Sequence, residues 1–279
     1  MSERDEPRAN APAALPLHYD SQGDGPLVVL LHGFPETRTT WRSQMHALAR
    51  AGYRAVAPDL RGYGLSPKPR GVDSYRLLTI VGDVVALIES LQRGPCIVVG
   101  HDWGAVVAWV LTMTRPDLVS RLVVLNIPHP GALRRVMKQS FRQKFRLLYQ
   151  VYFQLPILPE LTMRVFGRLF LRRAARFTKE EIEERVQSWR GALTPMLNYY
   201  RAMRKSRGEI RRAAQPIITP TLLIWGDREP VFLPETFLTS GDFAANLRLE
   251  RIEGIGHFVQ HDAAERVNDL IVRFLSSRA

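Results

Sequence analysis

The segment Gly100-His101-Asp102-Trp103-Gly104 sets one carboxylate among glycines, after the apolar run Pro95–Gly100 and before the helical run Ala105–Thr114. A strand, a sharp glycine-bearing turn and a helix make a nucleophile elbow, whose strained backbone holds the central side chain exposed. In esterases that central residue is serine; here it is Asp102. A carboxylate is already ionised near neutral pH, so it attacks without a base removing its proton first. The chemistry that suits it is displacement at a saturated carbon, which leaves an alkyl ester of the enzyme. Ordinary acyl transfer does not fit this nucleophile.

An ester intermediate has to be hydrolysed, and that requires a base and an oxyanion hole. The chain order of such sites, nucleophile then acid then histidine, directs attention to a late histidine. Of the seven histidines, His257 in Gly254-Ile255-Gly256-His257-Phe258 alone follows a strand within a glycine-rich loop. His32 and His101 stand at early strand ends and read as loop supports, whereas His261, on the following helix, is expected at the surface. The acid should follow the run Thr221–Trp225, where Gly226-Asp227-Arg228-Glu229-Pro230 offers two carboxylates. Glu229, four residues beyond the strand, stands where this fold presents its acid, with Asp227 the second choice. The oxyanion donors would be the backbone amides of Trp103 and of Phe34, the latter in His32-Gly33-Phe34-Pro35 after an early strand. Fixed donors of this kind stabilise a tetrahedral intermediate by roughly 3–4 kcal/mol.

These residues need a frame. Short apolar runs at Pro26–Leu31, Tyr53–Ala57, Pro95–Gly100, Leu122–Asn126, Thr221–Trp225 and Leu247–Ile252 read as strands. Tyr75–Leu91, Ala105–Thr114 and Ala263–Leu275 carry helical periodicity. Buried strands alternating with helices predict an α/β fold with a mostly parallel sheet covered on both faces. From Gly131 to Gln215 the chain is helical without a convincing strand, and Thr178-x-x-Glu181 is a capping box. An all-helical block between strands of a sheet predicts an inserted cap over 131–215. The core is then discontinuous, 15–130 and 216–279, behind a charged, Ala/Pro-rich leader at 1–14 that is expected to be disordered.

Composition narrows the classes. No run of roughly 18 apolar residues occurs, which excludes a spanning helix, and residues 1–15 lack the apolar stretch of a signal peptide. The single cysteine, Cys96, cannot form an internal disulfide, which fits a cytoplasmic location. The net charge of +12 is uneven: Gly131–Gln215 holds 20 Lys+Arg against 6 Glu, a balance of +14, leaving −2 for the remainder. A basic, apolar-rich helical segment suits anionic membrane surfaces or acidic ligands, but a solvated helical face is the simpler expectation. No zinc-ligand spacing, nucleotide loop or RNA-binding signature accompanies the charge, so no nucleic acid partner is expected.

With these motifs in view, HGFPE (His32–Glu36), DLRGYGLS (Asp59–Ser66), GHDWG (Gly100–Gly104) and GIGHF (Gly254–Phe258), the chain resembles the epoxide hydrolases of the α/β-hydrolase fold. The resemblance spans nearly everything after the leader. Haloalkane and fluoroacetate dehalogenases share the motifs in part, and the lid separates them. The resemblance implies two lid tyrosines that hydrogen-bond the epoxide oxygen, one opening a Y-Q-x-Y-F-Q segment and one in an N-W-Y-R segment. Tyr149–Gln154 reads YQVYFQ and Asn198–Arg201 reads NYYR, which carries those roles to Tyr149 and Tyr200, with Tyr152 and Tyr199 as packing. Ring opening creates an alkoxide, which leaves poorly without a donor. Phe34 stands where haloalkane dehalogenases often have Asn, and Trp103 with Val106–Val107 does not match the arginine-bearing elbow of fluoroacetate dehalogenases. Trp189 could still serve a halide, but a packed core tryptophan is the simpler expectation. Glu229, where Asp is commoner, is the main departure from the epoxide hydrolase pattern.

The resemblance thus implies an enzyme converting an epoxide and water to a vicinal diol through an Asp102 ester, with neither metal nor organic cofactor. Phe153, Trp189 and Pro35, beside Phe34 and Trp103, point to an apolar or aromatic epoxide. A homodimer is compatible with the sequence. The competing readings are a dehalogenase using the same aspartate, and a catalytically silent binding protein on this scaffold.

Overall fold

The structure, a computed structural model, describes residues 14–91, 94–213 and 216–277. Apart from Ala14, the expected leader lies outside the described residues. Leu15 is already tied down, its amide donating to Asp83 Oδ1 at 2.7 Å.

Seven strands form one sheet: β1 (Tyr19–Gln22), β2 (Leu27–Leu31), β3 (Arg54–Pro58), β4 (Cys96–His101), β5 (Val119–Leu125), β6 (Thr221–Gly226) and β7 (Leu247–Ile252). Their spatial order is β1-β3-β2-β4-β5-β6-β7, and every neighbouring pair is parallel except β1 with β3. The apolar runs coincide with β2 to β7. β1 is the strand that sequence patterning misses, because Tyr-Asp-Ser-Gln is exposed along its whole length and is held by backbone pairing to β3. An edge strand that buries no face leaves no period of two to read.

The other strands bury both faces. Val29, Leu31, Val98 and Val124 point to one side, against α2 (Leu77–Leu91) and α3 (Trp103–Thr114). Val28, Leu30, Val99 and Leu125 point to the other, against α1 (Arg42–Arg50) and α11 (Ala264–Ser276). Each such side chain contributes roughly 1.5–3 kcal/mol by leaving water, so helices on both faces hold the sheet in place.

Between β5 and β6 the described residues form six helices and no strand of the sheet. They are α4 (Pro130–Gln139), α5 (Phe141–Arg146), α6 (Tyr149–Tyr152), α7 (Leu158–Ala174), α8 (Lys179–Ser188) and α9 (Leu193–Ala213). The first does not separate from the core: His129 N–H donates to Ser240 Oγ at 3.0 Å and Arg135 lies over the Phe243 ring. The expected cap boundary at 131 therefore falls inside a helix that packs on α10 (Pro234–Thr239). The capping box is present: Glu181 N–H donates to Thr178 Oγ1 at 3.2 Å, and Thr178 N–H to Glu181 Oε2 at 2.8 Å. No helix of the described residues is long and apolar enough to cross a membrane.

Candidate active site

Five adjacent strands end on one edge of the sheet, where α/β folds present their sites. Register keeps those ends level, with Leu31 beside Gly100, Gly100 beside Val124 and Leu125 beside Ile224. β2 runs into Gly33-Phe34-Pro35, β4 into Asp102, β5 into Asn126, β6 into Glu229, and β7 into the loop bearing His257.

Asp102 sits at φ 50° and ψ −122°, a conformation costly for any residue but glycine and one that the surrounding packing must impose. Two glycines make it possible. A Cβ on Gly104 would overlap the Leu31 carbonyl, and one on Gly33 would overlap the Asp102 side chain. Phe34 N–H donates to Asp102 Oδ1 at 2.6 Å, while Trp103 opens α3, where first-turn amides have no helical acceptor. Of the two expected oxyanion donors, the Phe34 amide is in contact with the carboxylate, and the Trp103 amide follows Asp102 directly in the chain.

His257 stands between two carboxylates. Its Nδ1 donates to Glu229 Oε2 at 2.7 Å, and its Nε2 faces Asp102 Oδ2 at 3.5 Å. The Asp102 and His257 side chains keep 15% and 12% exposure, whereas Glu229 keeps 1%. Of the two acids left open by the sequence, Glu229 makes the imidazole contact. Asp227 is exposed and accepts from Gly254 N–H at 2.7 Å, which holds the turn preceding the histidine.

Asn126 belongs to this arrangement, and sequence reasoning missed it. At φ 55° it donates from Nδ2 to Glu229 Oε2 at 3.1 Å and to the carbonyls of Gly256 and His257 at 2.8 and 2.9 Å. Its Oδ1 accepts from Gly226 N–H at 2.7 Å. One amide therefore joins the ends of β5, β6 and the histidine loop. The available signal was a polar residue closing the apolar run Leu122–Leu125.

Burial by itself would lower the His257 pKa, but the Glu229 and Asp102 carboxylates outweigh it and raise the value to about 10. Burial likewise opposes ionisation of Asp102, and the hydrogen bond and charge of His257 reverse that, leaving its pKa below the ordinary value. His101 is held neutral, its pKa lowered to about 3 chiefly by burial and then by His257. Its Nδ1 accepts from Gln260 Nε2 at 3.1 Å and its Nε2 donates to the His257 carbonyl at 2.8 Å. His32 is the opposite tautomer, with Nε2 accepting from Leu60 N–H at 3.0 Å. Both are buried supports of the loops around Asp102, as their positions suggest.

The lid contributes an aromatic cluster. Tyr149 opens α6 and Tyr200 lies on α9, with ring centroids 6.1 Å apart. Tyr200 meets Trp103 at 4.9 Å and Phe34 at 5.6 Å, and Phe153 meets Phe34 at 5.7 Å. Burial raises the pKa of both tyrosines, so their hydroxyls remain proton donors. Tyr199 donates to the Arg61 carbonyl at 2.7 Å, and the Tyr152 hydroxyl pairs with Thr162 Oγ1 at 2.5 Å, so neither hydroxyl is free.

Two expectations are corrected. Trp189, expected to line the substrate pocket, is instead a packed tryptophan: its indole is buried against Gly167 and its Nε1 donates to the Pro35 carbonyl at 2.8 Å. Its hydrogen-bonding capacity is spent joining the lid to the loop that carries Phe34. His261, expected at the surface, is partly buried: it sits between Asp262 and Glu181, at 3.0 and 3.1 Å, with Phe177 against its ring. The helix carrying Glu181 lies over it, a placement no local pattern encodes.

A buried polar chain leads from the lid to the site. Arg185 Nη2 pairs with Glu36 Oε1 at 3.1 Å, Gln260 Nε2 donates to Glu36 Oε2 at 2.9 Å, and the same nitrogen reaches His101. Glu36 was visible in HGFPE, but nothing local marked Arg185 or Gln260 as its partners.

The chain is similar to known proteins over most of its length. A family model described as the alpha/beta hydrolase fold matches residues 26–264. AB hydrolase superfamily protein YfhM of Bacillus subtilis (strain 168) is 38% identical over 273 residues, 94% of this chain and 95% of that protein. Epoxide hydrolase 3 of Xenopus tropicalis is 37% identical over 277 residues, 93% of this chain and 74% of that one. The Bacillus megaterium epoxide hydrolase, solved in complex with an inhibitor, superposes with a TM-score of 0.85 at 30% identity, covering 94% of this chain and 97% of that one. On a parallel sheet with an aspartate elbow and a helical insertion, these likenesses have one meaning: the chain belongs to the epoxide hydrolase family of the alpha/beta hydrolase fold.

Proposed function

We propose that this hydrolase opens epoxides to vicinal diols in two half-reactions through an ester on Asp102. The observation that carries the proposal is the pose of Asp102, with one carboxylate oxygen on the Phe34 amide and the other facing His257 Nε2. In the first half-reaction the Tyr149 and Tyr200 hydroxyls hold the epoxide oxygen while Asp102 attacks a ring carbon. The C–O bond breaks, and the new alkoxide takes a proton from a tyrosine, which solvent restores.

Esterification neutralises Asp102 and so removes one of the two carboxylates that raise the His257 pKa. The imidazole can then lose its Nε2 proton and act as base, with Nδ1–H still held by Glu229. It takes a proton from water, the hydroxide adds to the ester carbonyl, and the Phe34 and Trp103 amides receive the oxyanion. Collapse releases the diol with the proton from His257, and the Asp102 carboxyl then passes its remaining proton to His257 Nε2, which restores the carboxylate and imidazolium of the resting site.

The helices that follow α4 act in this reading as the cap that brings the tyrosines to a discontinuous core built from the chain before and after the helical insertion. Phe34, Trp103, Phe153 and Tyr200 favour an apolar or aromatic epoxide. Dehalogenation is disfavoured because the lid tryptophan's N–H is committed to Pro35.

The test is one turnover with an aryl epoxide in oxygen-18 water, followed by mass spectrometry. The expected result is unlabelled diol with the label in the Asp102 peptide. Labelled diol would mean direct attack by water and would overturn the ester route. Absence of diol across several epoxides would overturn the activity and bring halide release from haloalkanes forward.

A further inference from the structure

We propose that the outer face of α5, α6 and α7 docks on a lipid bilayer bearing anionic headgroups. The inference rests on surface chemistry and is independent of the reaction proposed for the site.

Sixteen large hydrophobic residues are exposed among the described residues, and twelve of them fall between Phe141 and Phe170. They are patterned. α7 buries Glu160, Met163, Gly167 and Leu171 against the rest of the lid. Leu158, Leu161, Val165 and Leu169 repeat the same spacing about half a turn away and are 54%, 46%, 69% and 45% exposed. A helix apolar on two opposite faces has two apolar partners, and this structure supplies only one. On α5 and the turn after it, Phe141, Phe145 and Leu148 follow one another at helical spacing, 81%, 67% and 52% exposed. The exposed Leu155 and Ile157 join the two stripes along the chain. A solvated face written in arginine explains the charge of this segment and not these side chains.

The charge chooses the partner. Between Phe141 and Arg173 there are seven Lys+Arg and one acid, Glu160, which is buried and paired with Arg201 at 2.9 Å. Arg142, Lys144, Arg164, Arg172 and Arg173 have no ion pair among the described residues. A second copy docked by a two-fold axis would bring like cations against each other. An anionic bilayer meets both demands, with an apolar interior for the leucines and phenylalanines and phosphates for the cations flanking them.

The experiment is flotation of the full chain with vesicles of phosphatidylcholine alone, and of phosphatidylcholine mixed with phosphatidylglycerol, at low and high salt. Two double variants accompany it, Phe141→Ser with Val165→Ser, and Arg164→Gln with Arg172→Gln. Binding should require phosphatidylglycerol and weaken with salt. Each pair of substitutions should lower partitioning about tenfold or more, while melting temperature and turnover of a water-soluble epoxide stay unchanged. No binding to anionic vesicles, or binding indifferent to both variants, overturns the proposal. So does light scattering that finds a dimer which the serine pair dissolves, because the face would then join two copies of this chain.

Discussion

Tyr149 and Tyr200 reach the candidate site from different surroundings. Tyr200 is buried on a long helix among Phe34, Trp103 and Phe153, whereas Tyr149 opens a helix of four residues and its hydroxyl accepts from Gln150 Nε2 at 3.4 Å. In the proposed first half-reaction each supports a developing alkoxide, and a hydrogen bond to a charged group is worth about 1.5–3 kcal/mol. Tyr149→Phe and Tyr200→Phe should therefore each slow ester formation about 10- to 100-fold. Rapid quenching with detection of the Asp102 adduct measures this directly. Unaltered alkylation in both variants would remove the tyrosines from the mechanism and reopen the dehalogenase reading.

At the scale of elements, the lid is joined to the core through a buried ion pair. Arg185 on α8 and Glu36 beyond β2 are 5% and 1% exposed, and burial raises the Glu36 pKa despite the neighbouring guanidinium. Removing one partner of such a pair strands the other in a dry environment, at about 3–5 kcal/mol. Arg185→Met should show that loss in urea unfolding, and adding Glu36→Gln should recover more than half, since the amide keeps partners in Thr40 and Gln260. A double variant no more stable than the single one would mean that packing of the arginine stem, rather than the stranded charge, dominates. The same pair ties α8 of the lid to the loop that carries Phe34.

Folding free energy belongs to the whole molecule, and His257 makes it depend on pH. Its folded pKa, about 10, lies above the unfolded value of 6.5. The stability it contributes is therefore present in full below about pH 6.5 and is lost as pH rises through about 10. Against His257→Gln, the wild-type advantage in urea unfolding should narrow steadily between pH 7 and pH 10. A gap that does not change over that range would show that the imidazolium is not coupled to Glu229 and Asp102 as the distances imply.

What could be read without a structure was local in origin. Apolar runs of strand length, a carboxylate set among glycines, and a late histidine between a strand and a helix are written within a few consecutive residues, so the sheet, Asp102 and His257 were legible. The charge excess of Gly131–Gln215 was also plain. Tertiary structure alone decided the rest. Asp227 and Glu229 are two residues apart, and only the path of their loop against the β7 end turns one to the imidazole and the other to Gly254. Asn126 and Gln260 look ordinary in sequence because their partners lie over a hundred residues away. Trp189 reads as a pocket residue until Pro35 claims its N–H. β1 has no pattern because pairing without burial requires none. A sequence records which side chains prefer to leave water, and the fold decides which of them meet.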